Sequence, residues 1–291
     1  MGKATQTFMT PLSSPGFTRN RPLIMGIINC TPDSFYSVSR KNDVNAAIRA
    51  AAAMEEEGAD ILDIGGESTR PGSRYIDTEE ELERVIPVIR RIRRNSSIVI
   101  SVDTRKSEVA RQACDAGADM INDISALEED PELADVAAAT GVPVVLMHKK
   151  GTPENMQNDP HYTDVVGEVK EYLRQRIEYA QSRGIGKHAV LIDPGIGFGK
   201  RLIDNLLRLR HLRELNDLGG PVCLGASRKS FLGAVTRGGF GKDSPEERLI
   251  GSLAVHSWAC MQDAAVLRVH DVAETRELIS VLRAIRTAGE E

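Results

Sequence analysis

Eight short apolar runs in the sequence end in residues that could do chemistry. The first run is "LIMGIIN" and the last is "AAVLRVH". The polar residues at their carboxyl ends are Asn29; Asp63, Glu67, Thr69 and Arg70; Asp103; Asn122 and Asp123; His148; Asp193; Ser227, Arg228 and Lys229; and Arg268, His270 and Asp271. One such residue is commonly a helix cap, but eight converging ends favour one shared site.

Four of these residues match a planar heterocycle. Asp103, Asn122, Asp193 and Lys229 follow four different runs. A carboxylate can accept from a ring N–H and an exocyclic amine, an amide can donate and accept side by side, and a lysine can donate to a carbonyl oxygen. This pattern fits the 2-amino-4-oxo pyrimidine edge of guanine or a pterin. Buried without partners, such groups cost about 1–3 kcal/mol each, so the site should discriminate for that edge.

A second set of residues is cationic. Arg70, Arg268 and His270 suit a diphosphate, because guanidinium groups bind phosphate oxygens in a bidentate way. Asn29 offers an oxygen to Mg2+, which keeps several waters and takes substrate phosphates as ligands. No dense group of carboxylates accompanies Asn29, so we expect Mg2+ to arrive with the substrate.

Two loops are unusual. In "GGESTRPGS", Arg70 stands in front of Pro71, and we interpret the segment as a loop that closes over an anionic substrate. The glycine-rich "DPGIGFGK" is not a Walker A loop, because Arg201 replaces the required Ser or Thr, and it is not a dinucleotide GxGxxG motif. We expect it to hold Asp193 at a strand end, with Phe198 as an apolar contact for a ligand.

The elements that must position these residues alternate between strand and helix. Near-continuous apolar runs indicate parallel strands buried on both faces, and stretches such as "DVNAAIRAAAAMEEEGA" have helical periodicity. Eight strands alternating with about eight helices predict an α/β fold, a single-domain (β/α)8 TIM barrel. An open doubly wound sheet is the alternative, although its usual strand count is lower. We assign an N-terminal extension to residues 1–20 and the barrel to residues 21–291.

Composition limits the class of protein. The chain has 291 residues with 41% hydrophobic content, enough for a large core, and a net charge of -5. That charge argues against general attraction to nucleic acid or anionic membranes. The four cysteines form no CxxC pair, and no apolar run approaches the ~20 residues of a membrane span. We therefore expect a cytoplasmic protein without a nucleic-acid or membrane partner.

The successive motifs resemble those of the dihydropteroate synthase family, pterin-binding enzymes of the folate pathway. They are "MGIINCTPDSF", "DIGGESTRPGS", "SVDTRK", "INDIS", "IDPGIGFGK", "SRKSF" and "RVHDV", in the family's order from about Leu23 to Asp271. The resemblance implies a transferase that condenses 6-hydroxymethyl-7,8-dihydropterin diphosphate with 4-aminobenzoate, giving 7,8-dihydropteroate and diphosphate. It also implies sulfonamide sensitivity and a homodimer, for which the helix in "SPEERLIGSLAVHSWACMQ" could supply a surface.

The resemblance also implies roles for individual residues. The pterin would be bound by Asp103, Asn122, Met147, Asp193, Lys229 and Arg268. The diphosphate would be bound by Asn29, Arg70, Arg268 and His270, with Asn29 as the Mg2+ ligand. The 4-aminobenzoate would lie against Thr69, Arg70, Pro71, Phe198, Lys229 and Ser230. Catalysis would rest on Asp103, Lys229, Arg268 and His270.

A dissociative, SN1-like substitution suits these substrates, because aromatic amines are weak nucleophiles. Diphosphate would leave first and produce a cation delocalised over the pterin. Asp103 would stabilise that cation, while Mg2+ and the arginines would stabilise the departing anion. No protein nucleophile is required.

The sequence departs from the family pattern in two loops. After "PDSF" it continues with "YSVSR", Tyr36 to Arg40, where the family has Ser-Asp-Gly-Gly. In "MHKKGTP", Lys149 and Lys150 stand where the family has Met and Arg. The first change removes a carboxylate and two glycines from the first loop, whereas the second keeps positive charge but loses a guanidinium fork.

Three other functions are compatible with parts of the sequence. A pterin-dependent methyltransferase acting on a corrinoid protein would share the barrel and the pterin pocket. A class I aldolase would use Lys229 as a Schiff-base nucleophile. A pterin-binding protein without catalytic activity would keep the pocket alone.

Overall fold

Strands and helices alternate along the chain. The structure, a computed structural model, describes residues 21–31, 40–69, 72–73, 75–240 and 243–289. In order, the elements are β1 (Leu23–Asn29), α1 (Arg40–Glu57), β2 (Ile61–Gly65), α2 (Thr78–Arg93), β3 (Val99–Asp103), α3 (Ser107–Ala116), β4 (Met120–Asp123), α4 (Glu132–Thr140), β5 (Val144–Met147), α5 (Val165–Ser182), β6 (Val190–Asp193), α6 (Leu202–Arg210), β7 (Cys223–Gly225), α7 (Ser230–Arg237), α8 (Leu249–Met261), β8 (Val266–Val269) and α9 (Val272–Arg286). Short 3₁₀ segments lie at Lys187–Ala189, Leu212–Leu218 and Glu246–Arg248.

All eight strands are parallel and form one sheet. Their spatial order is β6-β5-β4-β3-β2-β1-β8-β7. The two ends of this order meet, because the Ile192 N–H donates to the Pro221 carbonyl at 3.0 Å and Ile192 forms a parallel bridge with Val222. The sheet therefore closes into a single-domain (β/α)8 TIM barrel. This confirms the predicted fold and excludes the open doubly wound sheet.

Alternation along each strand decides which side chains face the barrel interior. In β2, Leu62 and Ile64 pack in the large core between strands and helices, whereas Ile61 belongs to a separate cluster. That cluster fills the barrel and consists of Met25, Ile61, Met120, Val145, Leu191, Cys223, Ala265 and Val266. Asp63 and Gly65 share the parity of Ile61, so they face the interior at the carboxyl end of β2.

Helix starts follow local chemistry. The Asp77 carboxylate caps α2 by accepting from the Glu80 N–H at 2.7 Å, and the first turn of α2 is acidic while its last turn is basic. The Asp164 carboxylate caps α5 by accepting from the N–H groups of Val166 and Gly167 at 3.1 Å each. Such caps satisfy amide groups that have no partner within the helix. They fix where the loops before α2 and α5 end.

Predictions about the chain as a whole fare differently. The extension assigned to residues 1–20 lies outside the described residues, so the domain boundaries stay a prediction. The described part of the chain contains no helix with the length and apolarity needed to cross a membrane. All four cysteines, Cys30, Cys114, Cys223 and Cys260, are free.

Candidate active site at the carboxyl end of the barrel

A buried ion network lies in the barrel mouth. The Arg268 Nε donates to Asp63 Oδ2 at 2.6 Å, and its Nη2 donates to Asp103 Oδ2 at 2.6 Å. The Asn122 Nδ2 donates to the same Asp63 oxygen at 3.0 Å. Four strands, β2, β3, β4 and β8, thus place polar side chains in one connected group. The structure thus brings together Asp103, Asn122 and Arg268, three of the residues singled out from the sequence.

The other wall of the mouth comes from β6 and β7. The Asp193 Oδ1 accepts from the Gly195 N–H at 2.6 Å. Lys229 donates through Nζ to the Ile196 carbonyl, and this nitrogen lies 4.6 Å from the centroid of the Phe198 ring. Gly225, in β7, has no side chain, so the space between Arg268 and Asp193 stays open. A Cβ at this position would occupy it, 3.7 Å from an atom of each side chain.

Burial and charge shift the pKa values of these groups. Burial raises the pKa of Asp103 to about 7, opposed by the positive charge of Arg268 and reinforced by the Asp63 carboxylate. Burial also raises the pKa of Asp193, against the effect of Lys229 and the Gly195 N–H. Burial lowers the pKa of Lys229 to about 8, although Asp193 favours its charged form. Carboxylates and a lysine are therefore tuned toward neutral pH in one cleft, which is typical of functional sites.

Arg268 behaves differently from its neighbours. Burial opposes its charge, but the carboxylates of Asp63 and Asp103 outweigh that effect and hold its pKa above the ordinary value. The guanidinium therefore stays charged in the pocket, where it can face an anion.

The loop after β6 needs glycine at two positions. Gly195 has φ +65, and a Cβ there would lie 1.8 Å from the His148 carbonyl oxygen. Gly199 has φ +60, and a Cβ there would lie 2.1 Å from the Lys150 carbonyl oxygen. The loop thus packs directly against the backbone after β5. This close approach explains "DPGIGFGK" without a phosphate-binding role.

The predicted diphosphate side combines β1 and β8. The His270 Nδ1 lies 3.0 Å from Ser227 Oγ, and the His270 N–H donates to the same oxygen at 3.2 Å. Asn29 ends β1 opposite Gly65 and is half-buried. Among the described residues, no three His, Cys, Asp or Glu side chains are grouped to hold a metal ion. The uncharged oxygen of Asn29 fits Mg2+ that brings substrate phosphates as further ligands.

The structure turns several of the strand-end residues away from the mouth. Asp123 accepts from the Ser125 and Leu127 N–H groups, so it orders the turn after β4. Arg228 forms an ion pair with Asp271. Glu67 accepts hydrogen bonds from the Ile76 N–H and from the Arg105 guanidinium. The expectation of one shared site at all eight ends was wrong for these residues. Strand alternation turns Asp123 away, whereas Glu67, Arg228 and Asp271 lie beyond the strand ends and are held by partners in the loops.

His148 is also directed away from the mouth. Its ring packs edge-on against Tyr172, with centroids 4.9 Å apart, and its Nδ1 lies 2.8 Å from Lys200 Nζ. Met147, one residue earlier, has the interior parity, lies beside Asp193 in the register and is only 4% exposed. Met147 therefore faces the barrel interior beside Asp193, and its contact with a pterin stays a prediction.

Some predicted residues are placed only in part. Arg70 and Pro71, and residues 36–39 of the diverged first loop, lie outside the described residues. Thr69 is half-buried, and Ser230 is exposed at the first residue of α7. The second loop returns to the barrel at Gly72, whose N–H donates to the Pro153 carbonyl at 2.8 Å.

A cluster of four residues, the Tyr75 cluster, joins the loops after β2, β3, β4 and β5; its members are Tyr75, Arg105, Glu129 and Lys149. The Arg105 guanidinium stacks 3.5 Å from the Tyr75 ring centroid and pairs with Glu129 at 2.9 Å. Lys149 pairs with Glu129 and donates to the Tyr75 hydroxyl at 3.2 Å. Lys149 thus has a defined structural partner set in this chain, although it departs from the family pattern.

Sequence reasoning gave Asp63 no role, yet it is central to the network. Asp63 is fully buried, and its Oδ1 has no hydrogen-bond partner among the described residues. The signal was its position two residues after Ile61 on the interior face of β2. Parity was available from the sequence, but the partner, Arg268, was not.

The sequence matches one enzyme family over most of its length. The model of the pterin binding enzyme family matches residues 25–270. The dihydropteroate synthase of Escherichia coli (strain K12) is 45% identical over 271 residues, which are 93% of this chain and 94% of that protein. The chain belongs to the dihydropteroate synthase family of pterin-binding enzymes. It is accordingly an enzyme of the transferase class.

Solved structures of dihydropteroate synthases have the same barrel. The enzyme from Yersinia pestis in complex with a sulfonamide drug has a TM-score of 0.85 at 42% identity, covering 92% of this chain and 95% of that one. The Xanthomonas albilineans enzyme in complex with 7,8-dihydropteroate has a TM-score of 0.82 at 47% identity, covering 91% of this chain and 94% of that one. Family and fold therefore agree.

Proposed function

We propose that the chain condenses 6-hydroxymethyl-7,8-dihydropterin diphosphate with 4-aminobenzoate to give 7,8-dihydropteroate and diphosphate. The observation that carries this proposal is the polar wall of the barrel mouth, where Asp103, Asn122, Asp193 and Lys229 surround the Arg268 guanidinium. The Xanthomonas enzyme bound to 7,8-dihydropteroate supports the same substrate class.

The pterin would bind through its polar edge. Asp103 and Asp193 would accept from ring and exocyclic N–H groups, Asn122 would donate and accept, and Lys229 would donate to the carbonyl oxygen. Met147 would pack on the ring system. Each of these groups is buried or half-buried, so a heterocycle without the matching edge leaves them unpaired.

The diphosphate would lie toward β1 and β8. Arg268, His270 and Arg70 would bind its oxygens, and Asn29 would hold Mg2+, which neutralises charge on the departing group when bound. Arg268 is suited to this role because its two carboxylate partners fix the guanidinium while keeping it charged. The protein thus supplies a preorganised positive region on one side of the pterin.

The reaction is proposed to be dissociative. The bond between the methylene carbon and the diphosphate oxygen breaks first, leaving a cation delocalised over the pterin. Asp103, as a carboxylate, stabilises this cation in a low-dielectric pocket. The nitrogen of 4-aminobenzoate then bonds to the methylene carbon and loses a proton.

The second substrate would bind above the pterin. The Lys229 Nζ lies 4.6 Å from the centroid of the Phe198 ring, and these two side chains would form one wall of the pocket. Thr69, Arg70, Pro71 and Ser230 would form the remaining walls. Sulfonamides would compete at this position, as the sulfonamide complex of the Yersinia enzyme supports.

We also propose a cytoplasmic homodimer. The cytoplasmic location rests on the four free cysteines. The dimer surface would lie on α8, where Ile250 is 82% exposed and Trp258 is 40% exposed, an unusual share for large apolar side chains. Light scattering after size-exclusion chromatography tests it, and a monomer at micromolar concentration would contradict the dimer.

The function is tested by calorimetric titration with Mg2+ present. Pterin diphosphate is added to the protein alone, and 4-aminobenzoate is added in parallel with and without inorganic diphosphate. We expect the pterin ligand to bind alone, and 4-aminobenzoate to bind only when the diphosphate site is occupied. No binding of the pterin diphosphate to folded protein would contradict the assigned pocket.

The alternatives are tested on the same preparation. Borohydride trapping of a carbonyl substrate on Lys229 would indicate an aldolase. Transfer of a folate methyl group to a corrinoid protein would indicate a methyltransferase. Formation of 7,8-dihydropteroate from both proposed substrates, without either of these activities, supports the synthase.

A further inference from the structure

Lys200 is a buried polar group that the proposed mechanism does not use. Its side chain is 1% exposed, and its Nζ lies 2.9 Å from the Gly195 carbonyl, 3.2 Å from the Phe198 carbonyl and 2.8 Å from His148 Nδ1. The amino group therefore lies beneath the loop after β6 and contacts both its first and its later part.

These three contacts are satisfied in either protonation state. As an ammonium, Lys200 donates to all three acceptors. As an amine, it donates to the two carbonyls and accepts from a protonated Nδ1 of neutral His148. Burial is the main cause that lowers the pKa of both Lys200 and His148, so the pair does not require two charges in the interior.

The loop lies between two lysine amino groups. On its inner side, Lys200 contacts the carbonyls of Gly195 and Phe198. On its outer side, Lys229 donates to the Ile196 carbonyl and lies 4.6 Å from the Phe198 ring centroid. Because Lys200 binds this loop, it helps to position the Ile196 carbonyl and the Phe198 ring, which are the two groups that Lys229 contacts.

The loop has other anchors as well. The Gly195 N–H donates to Asp193 Oδ1 at 2.6 Å, and the Tyr162 hydroxyl donates to the Gly199 carbonyl at 2.7 Å. Asn205 Oδ1 accepts from the Gly197 N–H at 2.6 Å, and the Gln157 Nε2 donates to the Gly197 carbonyl at 2.7 Å. Both of these contacts hold Gly197. The Gly195 carbonyl also accepts from the Phe198 N–H at 3.1 Å, so Lys200 reinforces this turn and binds the Phe198 carbonyl at 3.2 Å. A methionine side chain would fill the same space without a polar group to desolvate, so packing alone does not account for a lysine here.

We propose that Lys200, together with His148, is a positioning residue that sets the Phe198 ring and the Ile196 carbonyl against Lys229 and so shapes the 4-aminobenzoate position. This inference rests on the proposed function, because it assigns Phe198 and Lys229 to the second substrate. Lys229 and Asp193, which would also bind the pterin, contact this loop as well. Asp103 and Asn122 lie on other strands and do not contact it, so pterin binding should be affected less than 4-aminobenzoate binding.

The test compares Lys200→Met with the control Lys170→Met in α5, whose lysine pairs with the exposed Asp217 at 2.6 Å. We expect Lys200→Met to raise the KM for 4-aminobenzoate about tenfold and the KM for the pterin diphosphate less than about threefold. The control should change neither. Equal changes in both KM values, or no change, would overturn the inference.

Two variants of His148 keep the test decisive if Lys200→Met does not fold. His148→Asn retains an acceptor near the Nδ1 position and should leave the ratio of the two KM values nearly normal. His148→Leu removes the acceptor and should raise the KM for 4-aminobenzoate selectively. An unchanged ratio in His148→Leu overturns the proposal. If the unaltered chain forms no 7,8-dihydropteroate, the proposed function itself fails, which is a separate result.

Discussion

Arg268 and Asp63 are joined across the barrel mouth by a 2.6 Å hydrogen bond between Nε and Oδ2. The same guanidinium reaches Asp103 with Nη2 at 2.6 Å, so one arginine is shared by two buried carboxylates. In the proposed complex, Asp103 would accept N–H groups of the pterin beside this contact. Asp63 would then keep Arg268 in place through its own hydrogen bond.

The substitution Asp63→Asn should weaken pterin binding. An amide removes the charge that competes for the guanidinium, so Arg268 should bind Asp103 more tightly and oppose the ligand. We expect about a tenfold loss in affinity for the pterin diphosphate, measured by calorimetry. Asp217→Asn, at a carboxylate 69% exposed on the surface, is the control and should leave the affinity unchanged. Unaltered affinity in Asp63→Asn would show that Asp103 and Arg268 act independently of it.

Pterin affinity should decrease at both low and high pH. Burial raises the pKa of Asp103 to about 7 and lowers that of Lys229 to about 8. Binding needs Asp103 ionised and Lys229 protonated, so affinity falls as pH drops through about 7 and as it rises through about 8. The measurement is a titration of 6-hydroxymethyl-7,8-dihydropterin, which has no phosphate to titrate. Lys229→Arg should remove the alkaline limb, because a guanidinium keeps its charge.

The substitution Lys149→Met should impair the second substrate more than the first. Lys149, after β5, donates to Tyr75 at the end of the loop that carries Thr69, and its side chain is only 8% exposed. Loss of this connection should raise the KM for 4-aminobenzoate about threefold to tenfold, because a loosely held loop positions a substrate poorly. Steady-state kinetics at saturating pterin diphosphate measures this KM. Lys170→Met serves as the matched surface change, and an equal effect from both would refute the role of the cluster.

Gly195→Ala should destabilise the fold far more than Gly141→Ala. Both glycines have φ near +70, but a Cβ at Gly195 would lie 1.8 Å from a backbone oxygen, whereas at Gly141 no heavy atom lies within 4 Å. Backbone strain alone costs about 1 kcal/mol, and the clash should add at least about 2 kcal/mol. Urea denaturation of the two variants measures the difference. Similar free energies of unfolding would mean that the loop can move away from His148.

The barrel could be predicted because its signals are local. Apolar runs such as "DILDIGG" mark strands buried on both faces, and eight of them alternate with helical patterns. The order of strands in the sheet follows from the short connections between parallel strands. The helix expected in "SPEERLIGSLAVHSWACMQ" corresponds to α8, because glycines and a proline separate it from α7 in the sequence.

The site could be predicted in its residue types but only partly in its geometry. The structure brings Asp103, Asn122 and Arg268 together, whereas Asp123, next to Asn122, and His148, next to Met147, face away. Counting alternate positions from the interior residues of each strand would have separated these two groups. Strand parity is a local property, so this part of the error could have been avoided.

The sequence by itself determined the strands, their polar ends and the family to which those ends belong, because periodicity and motif order are properties of neighbouring residues. Only the tertiary structure decided which groups share a partner. Asp63 and Arg268 are 205 residues apart in the chain, and Lys200 reaches His148 across 52 residues. Closing the barrel brings such groups together, and burial there sets their charges and their roles.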